Sequence, residues 1–562
     1  MAPPEPAPLP KGAIGIVAVI SILLFLNARI TGLAGDLLVV DSTGTSLSEP
    51  GWKDLPTRSY NVQGFCSRVP MDTTAGMIWN ALRADVLRMT PVDDAEDLQG
   101  LVDRLLSPYN LRNTQRGRPL FSTWGAFLDK VNARIRSSRE RSVRIAVLVT
   151  KDEPSGWPRR LQGLLDRALG PRVVVVDIHS VPYPSSELFT KGLTYNLLYK
   201  SDVVPDMIIH SLFSSDDYAP DRDHNVLEDV TFMDHRRFVA EDWLRAAMES
   251  QPCHDSPPVV MFVDDTLPGH NHGGYLADSI QARVVQQLVD HYQVPFVSFV
   301  DAVRRTILTD ESSVFYYGKD PSVDGQIGVL WSILFSFLSY TVEYCDHVAN
   351  QASEQYQFSS FDSAMRHRVE HIVPPYLSGN LSLSDVSEKW QQEEERQTMR
   401  REHVCLPGRQ VKSRKCIISS LGPGRETSVG LQSHLSRYIK RQRGWRIVNG
   451  GILEASSPGA SLELAVPLKR SEHVDEVTLF TVREDSTRQA TSPQLQVDVR
   501  AGPVHERISI IPSHNSAVSV ALPDVVNLRE PVGNTTMSIK LELVQGDHVR
   551  VAGLFACDSV ER

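Results

Sequence analysis

Ile145 to Leu165 reads IAVLVTKDEPSGWPRRLQGLL. The first part is a short aliphatic run rich in β-branched residues. The second places Trp157, Leu161, Leu164 and Leu165 on one helical face, and a polar loop with Pro and Gly joins the two. A buried strand turning into an amphipathic helix is the repeating unit of a parallel α/β sheet. The same alternation continues on both sides of it. Strand-like runs fall at Val143 to Val149, Val173 to Ile178, Met207 to Leu212, Val259 to Val263 and Pro295 to Phe299. Helical patterns fall at Trp157 to Leu169, Ser186 to Tyr199, Arg236 to Ala247 and Ser279 to Tyr292. The expected architecture is a parallel sheet with helices on both faces. Gly328 to Val342, with three interspersed serines, is expected to be its buried closing helix rather than a membrane span.

Upstream, residues 1–12 form a Pro-rich leader and residues 13–34 a targeting segment. Its core, Ala13 to Leu26, is an uncharged run of 14 residues, the length of a signal-peptide core, and a tilted or thin-bilayer anchor also accommodates it. The reading preferred is a type II single-pass anchor with a lumenal or extracellular body; the alternative is secretion after cleavage near Ala34. Sequons at Asn380 and Asn534 and an even count of six cysteines agree with an exported body. Residues 35–140 read as a stalk with helical patterns, including Phe127 to Ile135, and residues 141–345 as the α/β domain. Residues 346–415 form a charged linker, within which Ser384 to Glu402 is expected to be a solvated helix. From residue 416 to 562, short alternating segments punctuated by Gly, Pro, Asn and Asp predict an antiparallel β-sandwich.

Composition narrows the function. In 562 residues, 41% are apolar and 22% charged, and the net charge is −10, without the basic excess that nucleic-acid binding needs. No CxxC or Cys/His metal spacing occurs, and no cofactor is implied.

Ligands of an open α/β sheet gather beyond the carboxyl ends of its strands. Here those loops are acidic: Asp152 and Glu153 after the first strand, Asp216 and Asp217 after the third, Asp264 and Asp265 after the fourth, and Asp320 before the closing helix. The order of blocks resembles the SGNH (GDSL-type) hydrolases, in particular membrane-anchored members with a C-terminal β-sandwich. IAVLVTKDEPSGWPRRLQGLL is similar to their first block, PDMIIHSLFSSDDY to their third and KDPSVDGQIG to their last, so the resemblance spans about residues 144 to 345. It implies a flavodoxin-like three-layer domain and ester hydrolysis, with a serine nucleophile, a histidine base and an oxyanion clamp. Each matching position is substituted. Asp152 stands at the nucleophile, Ser214 and Asp216 at the oxyanion Gly and Asn, Asp320 at the histidine, and Tyr317 at its acidic partner; Ser180 to Pro184, where the second-block glycine belongs, has none.

An ionised aspartate donates no hydrogen bond, and losing one oxyanion donor costs about 2.7 to 4 kcal/mol. The favoured reading is therefore a pseudoenzyme associated with carbohydrate or acylated glycan. Three alternatives stay open. Shifted residues refill the roles, with Ser155 as nucleophile and His179, His210, His270 or His272 as base. Asp152 and Asp320 act as a carboxylate pair, making the protein an active esterase or acyltransferase. Asp152, Asp216, Asp217, Asp264 and Asp320 together ligate Mg²⁺ or Ca²⁺.

Overall fold

A computed structural model describes residues 114–137, 139–149, 156–180, 205–211, 230–249, 257–265, 285–307, 316–317, 320–353, 373–377, 383–404, 416–421, 438–448, 452–469, 473–483, 493–511, 520–546 and 548–557. The leader, the run Ala13 to Leu26, the helical pattern at Ser186 to Tyr199 and Asn380 lie outside these residues.

Five parallel strands form the first sheet: β2 (Val143–Val149), β3 (Val174–Ser180), β4 (Met207–Ser211), β5 (Val259–Asp264) and β6 (Phe296–Ser298). They lie in the order β3-β2-β4-β5-β6, that of a doubly wound sheet. β1 (Gln115–Gly117) adds an antiparallel edge beside β6, so residues just upstream of the α/β repeat are part of its sheet.

Helices cover both faces. On one lie α1 (Phe121–Arg136), α2 (Trp157–Leu169), α4 (Phe299–Ile307) and α5 (Val323–Ser353), packed through Trp124, Leu161, Val303, Trp331 and Phe335. On the other lie α3 (Val230–Met248) and the helical stretch 285–292, packed through Trp243, Leu288 and Tyr292. The strands read as continuous apolar runs because each is buried on two sides. α5 is long and apolar enough to cross a membrane, but its Gly325–Asp346 portion is mostly buried in the protein. Its polar residues do not disturb the core. Ser332, Ser336 and Thr341 donate their hydroxyls to the carbonyls of Gly328, Ser332 and Phe337 one turn back.

The second unit is a pair of antiparallel sheets around a common core of Leu464, Leu479, Val497, Ile539 and Leu554. One contains β10 (Ile439–Arg443), β13 (Ser461–Pro467), β18 (Thr536–Gln545), β15 (Gln494–Ala501) and β16 (Val504–Ile510), in that order across the sheet. The other runs β11 (Trp445–Val448), β12 (Ile452–Ala455), β19 (Val549–Cys557), β14 (His473–Arg483), β17 (Val520–Gly533), with β9 (Cys416–Leu421) paired to β19. Phe480, Val482, Ala552 and Phe555 turn away from the sandwich core and join Trp243, Leu288 and Tyr292 of the α/β unit. The second sheet is thus buried on both faces.

Residues 373–377 form a strap held at this junction. The amides of Val373 and Leu377 donate to Gln397 and Glu241, the Arg245 guanidinium donates to the Pro374 carbonyl, and Tyr376 donates to Asp242 at 2.9 Å. Arg245 is buried and also binds Glu249 at 3.0 Å and Glu393 at 2.7 Å. Gln397 and Glu393 belong to α6 (Leu383–Val404), the helix expected to be solvated. That expectation is corrected for one face: Trp390 and Gln397 are buried, and Glu393, itself held by Arg396, pairs with Arg245 rather than simply facing water.

Candidate functional site

The neighbours β2 and β4 are followed by chain on opposite sides, β3 beyond the first and β5 beyond the second. This is the switch point of the sheet, and a crevice outside the carboxyl ends of two such strands is where ligands enter. In sequence, Asp152 follows Val149, the last residue of β2, and Ser214, Asp216 and Asp217 follow Ser211, the last residue of β4. These four side chains, with Ser155, His270 and His272, lie outside the described residues. The backbone of Asp320 is described: it forms β8 (Asp320–Pro321), opposite Tyr317 in β7 (Tyr316–Tyr317), just ahead of α5.

Around the switch point the first and last blocks meet. Trp157, the first residue of α2, donates its backbone N–H to Oε1 of Gln326 on α5 at 2.9 Å. Its indole donates to Oδ2 of Asp265, just beyond β5, at 2.9 Å. Ser322 starts α5 by accepting the Gly325 amide at 3.1 Å, which is what a serine at a helix N-cap does. Three loops distant in sequence are therefore fastened by one buried tryptophan. On the same face, by strand alternation from Met207 and Ile209, stands Ser211, buried and without a hydrogen-bond partner for its hydroxyl among the described residues.

The acids described at this edge serve as acceptors. Asp264 takes the Ser298 hydroxyl at 3.1 Å, Asp265 takes the indole, and Asp301 pairs with Arg116. Of the five aspartates considered as metal ligands, Asp264 is the one whose side chain is described, and it is occupied by this hydrogen bond. No group of three or more His, Cys, Asp and Glu side chains able to hold a metal occurs among the described residues.

Two histidines flank Leu148 in register, His179 on β3 and His210 on β4. His210 lies on the face opposite Trp157 and α2. Its ring stacks on Trp243 at 4.7 Å, with Phe262 edge-on at 5.6 Å, and burial pushes its pKa down to about 3. Burial, followed by the nearby Arg144 cation, lowers His179 to about 4. Both are neutral at physiological pH and weak as bases, so neither is tuned to shuttle a proton near neutrality.

The contacts of Trp157 with Gln326 and Asp265 escape a reading of motifs because they join segments more than a hundred residues apart. Ser322, a serine directly ahead of an apolar helical run, carries a cap signal that could have marked the start of α5.

No family model matches the chain, and no curated protein matches it. Several solved structures resemble part of it. A CBM6 carbohydrate-binding module from the Cellvibrio mixtus lichenase 5A, in complex with cellotriose, is 13% identical over 26% of this chain and 100% of that one, with a TM-score of 0.17. The C-terminal CBM6 of the laminarinase LamC from Zobellia galactanivorans is 11% identical over 22% of this chain and 95% of its own, at 0.16. The insecticidal crystal protein Cry2Aa is 8% identical over 21% of this chain and 18% of its own, at 0.15. Likenesses of this extent assign neither ligand nor activity.

Proposed function

We propose that the chain is a glycan-associated protein on an SGNH-type scaffold that has lost ester hydrolysis, held by its N-terminal segment at a membrane with the body lumenal or extracellular. The observation that carries the reading is the switch point. On this reading Asp152 and Asp216 stand at the crevice where such a sheet binds ligands, and the neutrality of the strand histidines His179 and His210 supports it. In that layout acids occupy the places of the attacking hydroxyl, the amide clamp and the imidazole. A crevice so built offers carboxylate acceptors to sugar hydroxyls but repels the oxyanion of a tetrahedral intermediate. Cys345 and Cys557 are both disulfide-bonded, and Asn534 of the second sequon is exposed at the turn between β17 and β18, two features that support an exported body.

The test is an ester-hydrolysis assay on aryl acetates and acetylated polysaccharide, comparing the chain with its Asp152→Ala variant. The expected result is no turnover above background in either, together with retention on acetylated glycan. Hydrolysis that disappears in Asp152→Ala overturns the proposal and establishes a carboxylate-based enzyme.

A further inference from the structure

The sheet that faces away from the α/β unit carries an unusual group of charges on its outer surface. On β15, Asp498 has a side chain only 7% exposed although it points outward. It is covered by cations. Arg500 donates from Nε at 2.7 Å and from its terminal nitrogen at 3.0 Å. Arg507 donates from Nε at 3.1 Å and from its terminal nitrogen at 2.8 Å, and His505 lies at 3.2 Å. The register explains the grouping: Arg507 is directly opposite Asp498, and His505 directly opposite Arg500. The side chains of Arg500 and Arg507 remain 59% and 51% exposed.

A guanidinium has five N–H donors. Each arginine commits two to Asp498 and keeps three, already oriented by a carboxylate that neutralises only one of the two positive charges. Elsewhere on this face Lys440 pairs with Glu463 at 2.9 Å and Lys540 with Glu542 at 2.5 Å, and the exposed Arg441 and Arg443 of β10 add further positive charge. The arginines held by Asp498 lie beside the hydroxyl and amide groups of Ser509 and Gln496. No Phe, Tyr or Trp lies on β13, β15, β16 or β18, so rings for stacking sugars or bases are absent from these strands. Single-stranded nucleic acid, which stacks its bases on such rings, is therefore a poor match.

We infer that the outer face of β15 and β16 binds acidic polysaccharide, Arg500 and Arg507 gripping a uronate carboxylate or a sulfate ester through paired N–H donors while Asp498 holds both guanidinium groups in place. This names a ligand class for the glycan association proposed above and rests on that reading. Planar forks suit such oxyanions better than lysine does.

Binding of the full chain is measured by calorimetry against alginate (carboxylate), carrageenan (sulfate), laminarin (neutral glucan) and polyphosphate. Alginate or carrageenan is expected to bind about tenfold or more tighter than laminarin and polyphosphate, whichever of the two responds identifying the anion. In Arg500→Gln/Arg507→Gln/Asp498→Asn, which removes the buried charge with its partners, the affinity is expected to fall about tenfold in a chain that still unfolds in a cooperative transition. Arg500→Lys/Arg507→Lys keeps every charge, and so guards against misfolding of the triple variant; a loss of about threefold or more is expected from the missing forks. Unchanged affinity in either folded variant, or equal binding of polyphosphate, overturns the site. Binding of laminarin alone overturns the acidic face and leaves glycan association standing. Retention of none of the glycans, acetylated ones included, overturns both.

Discussion

Glu454 and Asp498 show how single acids work on the strands of the sandwich. Glu454, on β12, is 3% exposed and receives Arg550 at 2.9 Å, His548 at 3.2 Å and a contact from Arg446. Burial by itself would raise its pKa, but the hydrogen bonds from Arg446, Arg550 and His548 outweigh that and hold it at about 2. In the unfolded chain the same group titrates near 4.3. Above that value both states are ionised and the full stabilisation is present. As the pH falls toward 2 the unfolded chain takes up a proton that the folded one refuses, so stability is lost across that window. Glu454→Gln is expected to lower stability at pH 7 by about 2 to 3 kcal/mol and to flatten the decline between about pH 4.5 and 2. Melting temperatures of both proteins across this range check it; parallel curves would show that Glu454 is not responsible. Asp498 is likewise held below the usual carboxylate range by Arg500, with Arg507 and His505 adding to it against burial, so part of the acid limb remains in the variant.

Glycines separate two kinds of helix. A Cβ on Gly328, inside α5, would lie 2.5 Å and 2.6 Å from ring atoms of Phe299, itself fully buried. On Gly163, on the exposed side of α2, it would meet nothing within 4 Å. Alanine favours a helix over glycine by about 1 kcal/mol. Gly163→Ala is therefore expected to stabilise the protein by about that amount, while Gly328→Ala destabilises it by about 1 to 3 kcal/mol as the ring is forced aside. Urea unfolding of the two variants checks the opposite signs.

The same contrast governs what the sequence makes legible. α2 runs from Trp157 to Leu169 as its periodicity predicts, and β2 from Val143 to Val149, because local pattern and tertiary burial agree there. β13, β15 and β18 alternate apolar and polar residues because one face meets water. β1, only three residues long, and β10, with four of its five residues exposed, give too little apolar pattern to stand out. The candidate site is legible as a sheet edge rich in acid. Its fastening is not, since the bond from Trp157 to Gln326 spans 169 positions of chain. α6 reads as charged because Arg245, which its acids serve, is itself buried on another helix.

At the scale of the molecule, one sheet of the sandwich is shared by two cores. The β14 sequence HVDEVTLFTVR and the β19 sequence VRVAGLFAC lack the strict polar alternation of the opposite sheet, as expected of strands buried on both sides. Val477, Leu479 and Leu554 fill the sandwich, whereas Phe480 and Phe555 face the α/β unit, edge to face at 5.7 Å and fully buried. The strap at residues 373–377 closes the same junction through Val373, packed in that core. The two units should therefore unfold together. Truncating a buried phenylalanine to alanine costs about 3 to 5 kcal/mol, and here that loss falls on the junction rather than on either unit's own centre. In Phe480→Ala/Phe555→Ala, calorimetry is expected to split one transition into two, the sandwich core keeping the higher melting temperature because Leu479, Leu541 and Leu554 are untouched. A single transition moved down as a whole would mean that the two cores remain coupled through the strap and α6, and that the aromatic pair adds stability without being the link.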